Sequence, residues 1–476
     1  MKLEISGGKF KMKKLLSFLT IAALAGSLAA CGERETAVTC DPETLDGNTV
    51  CYDAETGAFA IEKDAKIRFG ADNDDFGKAI VDLWNRTYPD KVGVVEYINT
   101  GSQGSTDSVA TQQGEWPDVF MAIDGEVPRN SSHLLPFHVE LANIVKNNSV
   151  KSFYDAGNST AATVYAPMTY DGMAFIWNKT MLEALGYDTT DANGDGLPDA
   201  FDTWEKIFAE SKAWDANRPE YKGKKVNVMF PLSLTNQWSD YHHLTSAGWE
   251  LFGTGDATKP GYDDPKFAAG LEFLLAAKDA KISVEESGVV TPADAMGWRW
   301  DDVLNNEIAP FGLVGTWMDV KGAMTATGSE FLVSIVPTYN GINQRPFVKT
   351  KGFVINAYTQ YRSAAMELMR LVYSKDGFQA MVNSSSYSPS LADGSNLVPT
   401  LQAGGVQEQM MAAFVYNYPE PALLLPNNPQ MKAMDSAYYP FISDTQKAIW
   451  DGTMTIEEAV AELIQLSNEK IAADNQ

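Results

Sequence analysis

Residues 66–75 read Lys66-Ile67-Arg68-Phe69-Gly70-Ala71-Asp72-Asn73-Asp74-Asp75, and this stretch decides the fold. Lys66 to Ala71 reads as a β-strand, and the four polar residues after it supply N-cap candidates for a helix. Phe76, Ile80, Leu83 and Trp84 then recur at helical spacing up to Tyr88-Pro89. Val92–Ile98 reads as a second strand. A Gly/Ser loop from Gly101 to Ser105 opens another helix ending near Gly114, and Pro117-Asp118 introduces a third apolar run, Val119–Ile123. Strand, helix, strand, helix, strand is the pattern of an α/β lobe with a mainly parallel sheet.

Further along, Ala174–Trp177 is strand-like and precedes the helix of Met181, Leu182 and Leu185. Helical patterns dominate through Trp204–Trp214, Tyr241–Trp249 and Phe267–Ala277. Strand signals return at Ile308–Val314, Phe331–Val336 and Gly352–Ile355, followed by a helix over Ala364–Tyr373 and a helical C-terminus. A chain of 476 residues, 45% hydrophobic and 21% charged, is long enough for two domains or one two-lobed unit. Its 37 basic and 62 acidic residues give a net charge of −25. Such a body repels phosphate backbones and anionic lipid surfaces, which argues against nucleic-acid binding.

The first 31 residues are different: they hold five lysines and one acid. Residues 1–11 read as upstream sequence, with Met12 as the start. Lys11, Lys13 and Lys14 precede an apolar run that ends in Leu28-Ala29-Ala30-Cys31-Gly32, the layout of a secretory signal. The run is shorter than the ~20 residues of a spanning helix. Leu-Ala-Ala-Cys resembles a bacterial lipobox, in which Cys31 would carry lipid and become the new N-terminus. Residues 32–64 read as a polar tether. Within it Cys40 and Cys51 flank the turn residues Asp46-Gly47-Asn48 and are expected to form a disulfide in an oxidising compartment.

A second constellation lies at Asp191-Ala192-Asn193-Gly194-Asp195-Gly196-Leu197-Pro198-Asp199-Ala200-Phe201-Asp202. Asp191, Asn193, Asp195, Asp199 and Asp202 place side-chain oxygens at the spacing of a calcium loop. Gly196 stands where the chain must turn, and the Leu197 carbonyl is available between them. The twelfth residue is Asp instead of Glu, so a structural Ca²⁺ is expected and not a sensor.

Several segments carry a resemblance over nearly all of residues 65–476. They are Trp116-Pro117-Asp118-Val119-Phe120, Ala166-Pro167 with Ala174-Phe175-Ile176-Trp177-Asn178-Lys179, Asp202-Thr203-Trp204-Glu205, Gly315-Thr316-Trp317, Val336-Pro337-Thr338-Tyr339 and Leu425–Met431. In order and spacing the chain resembles the extracellular solute-binding proteins of ABC transporters, particularly the maltose-binding type. The resemblance implies a two-lobed periplasmic-binding-protein fold of the α/β class, with discontinuous lobes joined by a hinge and a ligand cleft between them. One lobe would take 65–170 plus 341–385, the other 171–340 plus 386–476. It implies a sugar or oligosaccharide ligand passed to a membrane permease.

Sugars present hydroxyl edges and C–H faces, so their sites combine carboxylates or amides with flat rings. The resemblance places Asp72, Asn73 and Asp74 at the cleft from the first strand–helix loop, and Asp124 and Glu126 from the loop after Val119–Ile123. It aligns Asp171 with a ligand-binding carboxylate and Trp317 with a sugar-stacking ring, and puts Trp238 near a second ring. Met121-Ala122 replaces an expected aromatic, and Asp435 stands where another ring is expected, so the maltodextrin ligand is the part least fixed. A secreted carbohydrate-active enzyme using two carboxylates and a calcium-dependent surface lipoprotein stay open as alternatives. No His-Glu-x-x-His, Gly-x-Ser-x-Gly or phosphate-loop motif is present, and none of His133, His138, His242 and His243 has a catalytic setting. No catalytic residue is therefore assigned.

Overall fold

Asn73 caps the first helix, its Oδ1 accepting the Phe76 N–H at 2.9 Å. Asp74 and Asp75 in the first turn complement the helix's positive end. These details come from a computed structural model that describes residues 40–474 apart from 227, 235–236, 238–240, 283–302, 347 and 417–432.

Strand β1 (Ile67–Ala71) leads into helix α1 (Asp74–Thr87), then β2 (Val95–Asn99), α2 (Ser105–Gln112) and β3 (Val119–Ile123). β1 pairs in parallel with β2 on one side and β3 on the other. Next come β4 (Ala166–Asn178), β5 (Phe311–Gly315), β6 (Phe331–Ser334) and β7 (Val348–Ile355), followed by α3 (Arg362–Val372) and α4 (Lys375–Ser384). β7 inserts antiparallel between β3 and the first half of β4. The first sheet therefore runs β2-β1-β3-β7-β4, and only its first three strands are parallel.

β4 then leaves this sheet. From Met173 onward it pairs antiparallel with β5 on one side and, from Phe175, with β6 on the other. One 13-residue strand thus belongs to two sheets, and the exchange falls at Asp171–Gly172. Glycine is needed there: a Cβ on Gly172 would come 2.6 Å from the Phe414 ring, and one on Gly315 would come 2.6 Å from the Trp317 indole. Distances that short force a shift of the packed ring.

Each sheet has its own core. Phe69, Phe76, Trp84, Phe353 and Leu368 pack in the first lobe. Phe175, Trp204, Phe230, Trp249 and Leu271 pack in the second. A third apolar group, including Phe153, Tyr170, Val314, Val348 and Phe414, fills the crossing itself. Burial of such aromatic and aliphatic surface is the dominant favourable term in folding.

Three sequence expectations are corrected. Residues 40–64 are not a loose tether: Cys51, Phe59, Ile61 and Glu62 are buried, and Phe59 and Ile61 belong to the first lobe's core. Cys40 and Cys51 are disulfide-bonded, their Cα atoms 5.5 Å apart. The stretch after 385 also stays with the first lobe through Tyr387 and Leu391, with the Ser390 N–H donating to the Met168 carbonyl. The return crossing therefore falls later than expected. The helix expected over Tyr241–Trp249 is confined to Tyr241–Leu244. Among the described residues no helix is long and apolar enough to cross a membrane. Cys31 lies outside the described residues.

Candidate functional site

The end of β1 and the crossing point of β4 meet at a lysine. Register places Lys349 opposite Asp171 and Lys351 opposite Thr169, so all four side chains share one face of the sheet. Lys351 Nζ lies 2.9 Å from Asp171 Oδ2 and 3.2 Å from Asp72 Oδ2. Both Asp72 oxygens have a further partner: Tyr387 donates its hydroxyl to Oδ1 at 2.7 Å, and Ser102 donates to Oδ2 at 2.8 Å. The ammonium also sits 5.3 Å from the centre of the Tyr387 ring, within cation–π range. The Asp171 Oδ1 atom is shielded from water and has no hydrogen-bond partner among the described residues.

Burial pushes the Asp171 carboxyl above its ordinary pKa, and the adjacent Lys351 charge pulls it back. Burial opposes the Lys351 charge too, but Asp171 and Asp72 outweigh it and raise the lysine above its ordinary value. Burial and the neighbouring Asp72 likewise raise the Tyr387 phenol, so it stays a donor.

Trp317 is positioned from the other sheet. It follows β5, is half-buried, rests its indole on Gly315, and packs against all three apolar groups. Thr316 ties it to the crossing: its Oγ1 donates to the Tyr170 carbonyl at 2.7 Å, and its N–H donates to the Gly172 carbonyl at 3.1 Å. The residues on either side of Asp171 are thus bonded to the residue before Trp317. A buried carboxylate and a half-buried ring are thus tied through backbone neighbours at the strand that joins both lobes.

The other expected site residues have structural partners. Asn73 is the α1 cap described above. Asp74 Oδ1 accepts from Asn99 Nδ2 at 2.7 Å and from the Tyr97 hydroxyl at 2.9 Å, bonds that hold its pKa below the usual carboxylate range. Asp124 accepts the Thr350 N–H and hydroxyl at 3.0 and 3.2 Å, locking β3 to β7, and burial raises its carboxyl. Glu126 takes the Gly104 N–H on both oxygens at 2.8 and 3.0 Å, fixing the approach to α2. Trp238 lies outside the described residues. Ser102, Lys351, Tyr387 and Thr316 are not marked by the sequence: Lys349 and Lys351 alternate ahead of the apolar run Phe353–Ile355, a pattern that reads as a solvent-facing strand edge.

In the Asp191–Asp202 loop the carboxylates turn onto backbone N–H groups. Asp191 accepts from Gly194 and Gly196 at 2.7 and 2.9 Å, Asp195 from Leu197 at 2.8 Å, and Asp199 from Ala192 at 3.1 Å. Asn193 donates to Asp195 at 2.9 Å, and Asp202 pairs with Lys206 at 2.7 Å. Among the described residues no group of three or more His, Cys, Asp or Glu side chains gathers as a metal site. Trp177 clips the loop to β4 by donating to the Gly196 carbonyl at 2.9 Å, and Leu197 and Phe201 are buried in the second lobe.

Residues 78–404 match the family described as bacterial extracellular solute-binding protein, which is most of the chain: the protein belongs to that family. Its fold is similar to three solved structures. One is the maltodextrin-binding protein MalE1 of L. casei BL23 without ligand, 18% identical with a TM-score of 0.63, covering 86% of this chain and 99% of that one. Another is the maltose-binding periplasmic protein MalE of Listeria monocytogenes in complex with maltose, 15% identical with a TM-score of 0.65, covering 87% and 99%. The third is a cyclo/maltodextrin-binding protein complexed with maltotetraose, 18% identical with a TM-score of 0.63, covering 86% and 98%. At these identities the likeness establishes the two-lobed fold. A comparison with curated proteins finds no match. The family is one of extracytoplasmic binding proteins, not enzymes.

Proposed function

We propose that this protein captures a sugar or short oligosaccharide, of the maltose or maltodextrin kind, between its lobes and delivers it to the permease of an ABC transporter. The observation that carries this reading is the pairing of Asp171 with Trp317 at the β4 crossing. The Asp171 carboxylate, whose side chain keeps 17% of its exposure, accepts a sugar hydroxyl, and the half-buried Trp317 ring covers a C–H face. Both residues sit where lobe closure on a ligand would bring the two sheets together. The sugar complexes of two structures with this fold support the ligand class. Calorimetric titration of mono- and oligosaccharides against the wild type, Trp317→Ala and Asp171→Ala tests it.

Two accessories complete the reading. Cys31 carries a lipid that holds the protein at a membrane, a proposal resting on the Leu28–Cys31 sequence. Intact mass and membrane partition of Cys31→Ala check it, and an unchanged mass and partition sink it. A Ca²⁺ ion in the Asp191–Asp202 loop stiffens the second lobe beside Trp177, a proposal resting on the oxygen spacing.

A further inference from the structure

Residues 40–64 precede the stretch that matches the family, and their bonds converge on one helix. The Arg362 N–H donates to the Gly47 carbonyl at 3.1 Å. The Cys51 N–H donates to Ser363 Oγ at 3.2 Å, Glu62 accepts the Ser363 and Ala364 N–H groups, and the Phe59 N–H donates to Glu367. Tyr52 and Phe59 also pack on His138, with ring centroids 5.5 and 5.4 Å apart. These partners all belong to the first lobe, whose core includes α3 and Phe137 beside His138.

The two ends of this segment are held unequally. Cys51, Phe59 and Glu62 are buried against α3. Asp41 to Thr44 are exposed. Their turn is held by the Lys63 N–H on the Pro42 carbonyl and by a Lys63–Glu43 ion pair whose side chains are 59% and 63% exposed. Such an exposed pair contributes little. Gly47 adds a close fit, since a Cβ there would come 1.7 Å from the Gln360 carbonyl oxygen. A pull on Cys40 alone would peel these contacts away one at a time. The Cys40–Cys51 disulfide instead carries the pull past the turn to Cys51, at the buried contact with Ser363.

We propose that residues 40–64 and their disulfide form a clasp that fastens a membrane tether to α3, so that the bilayer holds the first lobe and leaves the second free of the anchor. The inference rests on the reading of Cys31 as the lipid-bearing residue. Cys40 follows Cys31 by nine residues, a reach of about 30 Å when fully extended. With the disulfide open and the turn peeled off, the first firm attachment is Cys51, twenty residues on, and the reach grows to about 70 Å. A partner in the same membrane then meets the protein at an effective concentration roughly threefold lower, by the −3/2 power of tether length.

The test uses the lipidated full chain in phosphatidylcholine vesicles with acceptor-labelled headgroups. A donor dye is clicked onto an azido amino acid at Val92, a first-lobe residue 64% exposed. Reductant is expected to lower energy transfer to the bilayer by about half or more, and Cys40→Ser to show the low value without reductant. Oxidised Gly47→Ala should keep the wild-type value, because the disulfide bypasses the turn, and lose it on reduction. Equal transfer in oxidised and fully reduced wild type overturns the inference. So does a low value in oxidised Gly47→Ala, which would make the turn the load-carrying contact.

A second arm needs no lipid. Cys31→Ala in solution is exposed to a glutamate-specific protease and followed by intact mass. Reductant should speed cleavage after Glu43 by about tenfold or more and leave Glu62 protected, since local opening governs cutting in a folded chain. Equal rates after Glu43 with and without reductant overturn the clasp. If the wild type does not partition to the vesicles, the lipid reading fails and this arm alone decides whether the clasp exists. If it partitions and its transfer ignores reductant, the lipid reading stands and this inference falls.

Discussion

Thr316 and Gly172 exchange two hydrogen bonds: the Thr316 N–H donates to the Gly172 carbonyl at 3.1 Å, and the Gly172 N–H donates to Thr316 Oγ1 at 3.3 Å. Asp171 precedes Gly172 and Trp317 follows Thr316, so this exchange joins the two backbone segments that carry the carboxylate and the ring. Thr316→Val removes the Oγ1 contacts to Gly172 and to the Tyr170 carbonyl at a buried position. About 1–3 kcal/mol of stability should be lost, the cost of leaving buried polar groups unsatisfied. Sugar affinity should fall with it, by more than in an equally destabilised variant remote from the crossing. Urea unfolding and calorimetry check both, and a variant with full stability and affinity refutes the coupling.

The N-terminal segment is a strap fixed to α3. Tyr361 gives that helix no side-chain cap; Glu62 instead accepts the Ser363 and Ala364 N–H groups at 3.0 and 2.8 Å. The Phe59 N–H donates to the buried Glu367 at 2.7 Å. Glu62→Ala should cost about 1–2 kcal/mol, as loss of a helix cap does, and should expose residues 40–64 to protease. Unchanged stability and protease resistance would show the strap to be incidental.

What could be read from the sequence follows the strength of local signals. β1, α1 and β3 were legible because strand and helix periods alternate there with Asn73 between them. The length of β4 was hidden by Pro167 and Gly172, which read as interruptions. The strap was missed because polar composition outweighed Cys51, Phe59 and Ile61, whose burial depends on a helix about 300 residues away in sequence. In the site, Asp171 and Trp317 came from the resemblance. Lys351 was missed because a lysine in a strand ordinarily marks a solvent-facing position, and only the meeting of β1, β4 and β7 supplies its partners.

A pH dependence follows from His242 and His243, buried with ring centroids 5.4 Å apart. His242 Nδ1 lies 2.7 Å from Gln344 Oε1 and His243 Nε2 faces Gln446. Burial holds His242 down to about 4 and His243 well below the ordinary histidine value. The unfolded chain takes up protons below about 6.5, so this stability is fully present above that pH and is lost as pH falls through the folded values. Between pH 7.5 and 5 the loss should reach roughly 2 kcal/mol per histidine. Burial raises the Glu62, Asp124 and Asp171 carboxyls and acts in the opposite sense on acidification. The comparison is therefore with His242→Asn, whose urea-unfolding free energy should fall less steeply over this interval; parallel slopes count against the assignment.

For the Asp191–Asp202 loop, an ion bound only by the folded chain stabilises by about 2.7 kcal/mol at a hundred times its dissociation constant. Chelator should lower the melting temperature of the wild type and leave Asp195→Ala almost unchanged. Equal melting of both, with and without calcium, would make the loop a backbone-bonded turn and nothing more.

The central claim is that Asp171 and Trp317 form one sugar site. Calorimetric titration of the tightest-binding sugar in the panel against the wild type, Trp317→Ala and Asp171→Ala tests it most directly. By analogy with base–aromatic stacking, loss of the ring should weaken binding by roughly 1–3 kcal/mol, about fivefold to 150-fold. Asp171→Ala should weaken it as well, and Asp171→Asn less, since the amide keeps an acceptor without the charge-assisted bond. Equal affinities for the wild type and both alanine variants would contradict the account and place the ligand elsewhere.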